Sequence, residues 1–314
     1  MFKYSRKDVL EIASTNNFLV NNTEKFLRLC GILDYISKSR INSYLVLKGG
    51  TAINIFLLDL KRLSVDIDFD FAKNISKEEL PSIREIIKED LVSFMLNEGY
   101  ALSDKSKFTY ALDSFVFHYI TTSGSGDVLK IEINYINRLH VLDLMDDYTI
   151  TRLDEVVKVK RLSNEELIAS KVKALITRTS PRDLYDVYNI LNSIKFDKII
   201  VRKITIFYVL LGSKIPVDFI NLIIDCLNRI MAINYNKIKT TLIPVTNKKE
   251  KIDIDVIKKS VYDSISKFQF LSENEIKCIT HFNQGLYDFS LLFENIETNE
   301  LIKHPMLYWK TVIA

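Results

Sequence analysis

The sequence predicts an α+β fold, and three observations carry that expectation. From Val65 to Phe71 apolar residues alternate strictly with Asp66, Asp68 and Asp70, the period of a strand with one apolar face and one carboxylate face. Phe108 to Thr122 is rich in aromatic and β-branched residues, and Val128 to Tyr135 alternates again after the turn Ser123-Gly124-Ser125-Gly126-Asp127, so the two segments read as a hairpin beside the aspartate strand. Beyond about Asn192 almost everything follows a helical pattern. The expected division is 1–160, a core with N-terminal helices and a small mixed sheet, and 161–314, a mainly helical region completing the cleft.

The totals suit such a chain. With 314 residues, 47% hydrophobic and only 8 Gly and 5 Pro, it can bury a large core, and two domains are expected. A net charge of +3 is only mildly basic, so nucleic acid would be bound through a local patch and not by global charge. Cys30, Cys226 and Cys278 are scattered without metal spacing and read as buried thiols of a reducing cytosol. No signal peptide is read at the start, and the most apolar windows carry Lys214, Asp225 and Arg229, which argues against a membrane span. A cytoplasmic protein is expected.

Taken in order, residues 1–43 read as helical packing, with Asn22 as a candidate cap. Tyr44 to Leu47 reads as a short buried strand. Lys48-Gly49-Gly50-Thr51-Ala52 follows it and opens an apolar helix, so that glycines allow close backbone approach and a helix start points N–H groups at an anion. Asp66 and Asp68, spaced i and i+2, point the same way and can share a divalent ion, which would complete its shell with water and substrate phosphate. Alone, a Gly-Gly-Thr is usually a turn and an Asp-x-Asp a solvated edge; in the order strand, turn, helix, strand they describe a site for a metal-bound nucleoside triphosphate.

Ser76-Lys77-Glu78-Glu79 reads as a capping box for a helix reaching about Gly99. On the second hairpin strand Glu132 shares a face with Lys130 and Asn134, either as a solvated surface acid or as a third site carboxylate. Ser163-Asn164-Glu165-Glu166 is a second capping box, opening a helix on which Lys171 and Arg178 share a face. Ser180-Pro181-Arg182-Asp183 starts the next helix, with Asp183 and Asp186 one turn apart. This corner reads either as a salt-bridged structural elbow or as a triphosphate grip in which Lys171 and Arg178 neutralise phosphates and Asp186 orients Lys171. Asn247 to Lys251 reads as a solvated polar loop, and Ser272-Glu273-Asn274-Glu275 as another capping box.

The front motifs, Lys48-Gly49-Gly50-Thr51-Ala52 and Arg62-x-Ser64-x-Asp66-Ile67-Asp68-Phe69, resemble the AbiEii/AbiGii toxin family of nucleotidyltransferases, which includes the MenT toxins and sits in the DNA polymerase β-like superfamily. Lys130-Ile131-Glu132-Ile133-Asn134 resembles the family's third-carboxylate strand, and Lys171 through Asp186 its downstream motif. The resemblance implies catalytic roles for Asp66, Asp68, Glu132, Lys171 and Asp186, with Asp66, Asp68 and Glu132 as metal ligands. It implies nucleotide contacts from Lys48, Gly49, Gly50, Thr51, Ser64, Lys171 and Arg178. Arg138 is a candidate phosphate contact, Asp183 is read as structural, and His304 before Pro305 as a structural or RNA contact. The implied cofactor is Mg2+, with Mn2+ as the alternative, and the substrate an NTP. The implied activity is a toxin of a type IV toxin–antitoxin or phage-defence pair, acting on RNA and above all the tRNA 3′ end, with a winged-helix antitoxin encoded nearby. Nucleotide transfer to a protein or small-molecule hydroxyl, and a silent NTP- or nucleic-acid-binding module, are the alternatives.

Overall fold

The computed structural model describes residues 2–294 and 296–313, and the chain divides into two compact units. The first comprises Met1–Arg138, Leu144–Leu162 and Pro244–Lys249. Its elements are α1 (Arg6–Asn16), α2 (Val20–Lys38), β1 (Leu45–Lys48), α3 (Gly49–Phe56), β2 (Asp66–Phe71), α4 (Leu80–Asn97), β3 (Ala101–Leu102), β4 (Lys107–Phe108), β5 (Leu112–Ile120), β6 (Gly126–Asn134), β7 (Met145–Ile150) and β8 (Val156–Arg161). All eight strands join one mixed sheet in the order β3-β5-β6-β2-β1-β8-β7, with β4 on β5. The α+β class is therefore observed, with a larger sheet than the four strands legible in the sequence.

The alternation along β2, β5 and β6 puts Ile67, Phe69, Phe71, Phe115, Phe117, Leu129, Ile131 and Ile133 on one face, each at most 1% exposed. Burying each such side chain contributes about 1.5–3 kcal/mol, so this face anchors the sheet and leaves the other for polar groups. The register then decides which polar groups meet. β1 runs antiparallel to β2 with Lys48 opposite Asp68; β2 runs parallel to β6 with Asp66 opposite Lys130 and Asp68 opposite Glu132; and β5 closes the hairpin with Ser114 opposite Glu132.

Several start signals act differently from their sequence reading. Helix α2 begins at Val20, and Asn22 lies inside it, donating to the Pro244 carbonyl at 2.6 Å. Ser76 and Glu79 do bond reciprocally, but they close a turn before α4, whose first turn holds Pro81. The polar loop at 247–251 is partly anchored: Asn247 and the Lys248 N–H donate to the carbonyls of Asn16 and Asn17 at 3.0 and 2.7 Å.

The second unit comprises Leu139–Asp143, Ser163–Ile243 and Glu250–Ala314. Its α-helices are α5 (Asn164–Arg178), α6 (Pro181–Ser193), α7 (Lys198–Gly212), α8 (Phe219–Ala232), α9 (Tyr235–Thr241), α10 (Ile254–Ile265), α11 (Glu273–Asn283) and α12 (Pro305–Ile313). Ser163 caps α5 through the Glu166 N–H at 3.2 Å, yet the box is only half made. Glu166 is fully buried and instead accepts from the N–H groups of Val141 and Leu142, at 2.9 and 3.2 Å, and from the Tyr208 hydroxyl. Burial pushes its carboxyl above the usual range. At α11 the box of Ser272 and Glu275 is complete.

Candidate active site

The turn between β1 and α3 is shaped by three side chains of the same unit. Gly49 has φ 74°, and a Cβ there would collide with the Asp68 carboxylate. A Cβ on Gly50 would lie 2.9 Å from the Arg62 guanidinium and 3.2 Å from Ser64 Oγ. The glycine pair thus makes room for the acid and the arginine, in addition to supplying a left-handed residue that only glycine adopts cheaply. Thr51, fully buried, donates its hydroxyl to the Asp66 carbonyl and so ties the helix start to the aspartate strand. Lys48 pairs with Asp70, a fully buried carboxylate that also accepts from Asn137 at 2.8 Å. Of the three aspartates on β2, Asp70 therefore belongs to the interior, while Asp66 and Asp68 stay half-buried at the surface.

Asp66, Asp68 and Glu132 meet through the β2–β6 register, and Lys130 completes the patch. Lys130 Nζ lies 2.8 Å from Glu132 Oε1. Desolvation works against the charge on Lys130, but Glu132, Asp66 and Asp68 outweigh it and hold the ammonium above the usual lysine range. Asn134 leaves this group and caps its own loop, accepting from the N–H groups of Ile136 and Asn137 at 2.9 Å. Among the described residues no three His, Cys, Asp or Glu side chains converge on a metal-sized point as they stand. The donor set suits a hard divalent ion, since it offers only carboxylate oxygens on one face, with Glu132 required to turn from Lys130.

The helical corner is a closed charge cluster. Lys171 Nζ lies 3.0 Å from carboxylate oxygens of both Asp183 and Asp186, and all three side chains are at most 6% exposed. Arg178 grips Asp183 with two bonds, Nε at 2.7 Å and Nη2 at 2.9 Å, and Ser180 Oγ adds a third at 2.7 Å. Burial alone would raise the Asp183 carboxyl, but Lys171, Arg178 and Ser180 hold it well below the usual range. Asp183, read from the sequence as structural, is thus the hub of the corner. Its signal in the sequence was present: an acid three residues after a Ser cap and five after an arginine.

The remaining candidates are placed elsewhere. Arg138 donates to the Ile75 carbonyl at 3.1 Å, and burial lowers its pKa. His304 is buried, accepts the Met306 N–H on Nδ1 at 3.1 Å and packs edge-on against Phe207, so it is a structural residue. The three cysteines are buried thiols. Among the described residues no helix is long and apolar enough to cross a membrane.

Residues 31–216, more than half of the chain, match the family described as the nucleotidyl transferase AbiEii toxin of type IV toxin–antitoxin systems. Among solved structures the chain is similar to MenT4, a nucleotidyltransferase toxin from Mycobacterium tuberculosis H37Rv, with a TM-score of 0.62 and 14% identity over 97% of this chain and 99% of that one. That likeness is one of fold. A protein from H. pylori assigned provisionally as a nucleotidyltransferase aligns at 19% identity over 80% of this chain and 98% of its own, with a TM-score of 0.41. No curated protein matches the chain.

Proposed function

Because the chain belongs to the AbiEii family of type IV toxin–antitoxin nucleotidyltransferases, we propose that it transfers a nucleoside monophosphate from an NTP to an RNA hydroxyl, with the tRNA 3′ end as the acceptor. The observation that carries this reading is the register setting Glu132 opposite Asp68 and Asp66 two residues before it on the same face. Asp66, Asp68 and Glu132 are the residues that would hold Mg2+ or Mn2+. When bound, such an ion supplies positive charge against the phosphates and the departing pyrophosphate.

The chain's own residues account for the rest. The acceptor oxygen forms a bond to the α-phosphorus, the bond from that phosphorus to the bridging oxygen of the β-phosphate breaks, and pyrophosphate leaves. The hydroxyl proton passes to one of the three carboxylates, whose half-buried position leaves an oxygen edge toward solvent. Gly49 and Gly50 hold the turn that keeps Asp68 in place. Little covalent work falls to the protein, so positioning and electrostatics carry the rate. Lys171, Asp186 and Arg178 are assigned to the activity through the corner they build around Asp183. A winged-helix antitoxin encoded nearby would oppose this activity in the cell.

The test is to incubate the purified chain with each α-labelled NTP, Mg2+, and total RNA or total protein. Label in tRNA that disappears with Asp66→Ala supports the reading. Label in the protein fraction would redirect it to protein nucleotidylation, and no label or pyrophosphate with any NTP would favour a silent binding module.

A further inference from the structure

Asp66, Lys130, Asp68 and Glu132 form a two-by-two array on the polar face of the sheet, since Asp66 stands opposite Lys130 and Asp68 opposite Glu132 on neighbouring parallel strands. Strand neighbours are about 4.8 Å apart and alternate residues about 6.6 Å, so the four charged heads share one small patch. Three corners carry a carboxylate and the fourth an ammonium. Lys130 is turned to Glu132, at 2.8 Å, with the lysine side chain 42% exposed and the glutamate 26%.

Resting on the nucleotidyl-transfer reading, we propose that Lys130 is a built-in counterion of this array, competing with the divalent cation for Glu132 and coupling cation loading to the arrival of nucleotide. Three carboxylates this close repel one another, and Lys130 relieves that repulsion while the patch holds no other cation. A divalent ion entering the same patch is repelled by the ammonium, and Glu132 joins its ligands only when Lys130 swings away. The swing is inexpensive, because a half-exposed lysine on a flexible four-carbon stem is weakly held. A nucleotide brings a triphosphate whose charge the displaced ammonium can meet, so ion with nucleotide is favoured over ion alone. Lys130 acts through Glu132 and is a positioning residue.

The experiment is a Mn2+ titration of the full chain, followed by electron paramagnetic resonance, without nucleotide and then with a non-hydrolysable NTP analogue. Lys130→Met is expected to bind Mn2+ alone about fivefold more tightly, the upper end for a half-exposed ion pair, and Lys130→Arg to match the wild type. The analogue should tighten Mn2+ binding more in the wild type than in Lys130→Met. Circular dichroism checks the fold, and Lys130→Gln replaces the methionine variant if that one unfolds. Unchanged or weaker Mn2+ binding without Lys130, together with loss of binding in Asp68→Asn, would overturn the counterion role and leave the metal site standing. Wild-type Mn2+ binding in Asp68→Asn would instead remove the metal site itself, and the counterion with it.

Discussion

Lys130 and Lys171 both stand among carboxylates, the first on the polar face of a sheet and the second inside a helical corner. Lys130 and Glu132 keep 42% and 26% of their side chains exposed, whereas Lys171, Asp183 and Asp186 keep 6%, 1% and 0%. Similar charges therefore have different uses. On the sheet, water screens the pair and either partner can exchange it for a ligand at small cost. In the corner, removing one partner strands a buried charge, so the cluster behaves as a single structural piece. A charged motif in a sequence does not say which of these it is; burial does.

The largest expected effect tests the exposed cluster. Asp68→Asn should lower nucleotide transfer on the order of 10³-fold, in the range for removing a preorganised electrostatic group, with little change in the urea midpoint. A fall in activity that merely followed a loss of stability would merge the two clusters into one class.

Next comes the buried cluster. Lys171→Met removes the buried ammonium that Asp183 and Asp186 share and should cost about 3–5 kcal/mol of unfolding free energy, against less than about 1 kcal/mol for Lys130→Met. Equal urea midpoints for the two variants would break the comparison. The same cost means that lost toxicity in a Lys171 variant counts as a catalytic result only once its fold has been checked.

A smaller effect is expected at Gly49→Ala, which combines a left-handed backbone, φ 74°, with a Cβ driven into the Asp68 carboxylate. The backbone part costs about 1–3 kcal/mol, and displaced Asp68 should lower transfer further than the melting temperature alone explains. Activity that tracks stability one for one would mean Asp68 keeps its place.

The smallest effect is in pH. The Asp183 carboxyl is held low in the folded chain, so the stability it contributes is present above its unfolded value and is lost only as pH falls through the lower folded one. Asp183→Asn should therefore flatten acid denaturation below about pH 4, where an unperturbed aspartate titrates. An unchanged acid limb of the stability curve would argue against the corner as a closed ion cluster.

How much of this was legible in the sequence depends on distance along the chain. The alternation at 65–71, the glycine pair and the caps at Ser180 and Ser272 are local, and each appears where residue spacing places it. The meeting of Glu132 with Asp68 is not local; only the family resemblance pointed to it, because strand register is set by tertiary pairing. β7 escaped because it has no buried face, whereas β8 does alternate, with Val157 and Val159 buried about exposed Lys158, a period of two in the sequence that was not read as a strand. Glu166 looked like half of a capping box, but its buried carboxylate found stronger partners in Val141, Leu142 and Tyr208 than its own helix cap. Asp183 was read as structural and its contacts agree, but spacing reveals only that it stands near a helix start, not that two cations converge on it.

The central claim is that the divalent ion sits on the sheet face of Asp66, Asp68 and Glu132. Loading the chain with Fe2+ in that role and adding ascorbate and peroxide generates radicals that cut the backbone within a few ångströms of the ion. Mass spectrometry of the fragments should show cuts confined to the neighbourhoods of 48–50, 64–70 and 130–134, and lost in Asp68→Asn. Cuts centred on the Lys171–Asp186 corner, or scattered along the chain and indifferent to Asp68, would contradict the account.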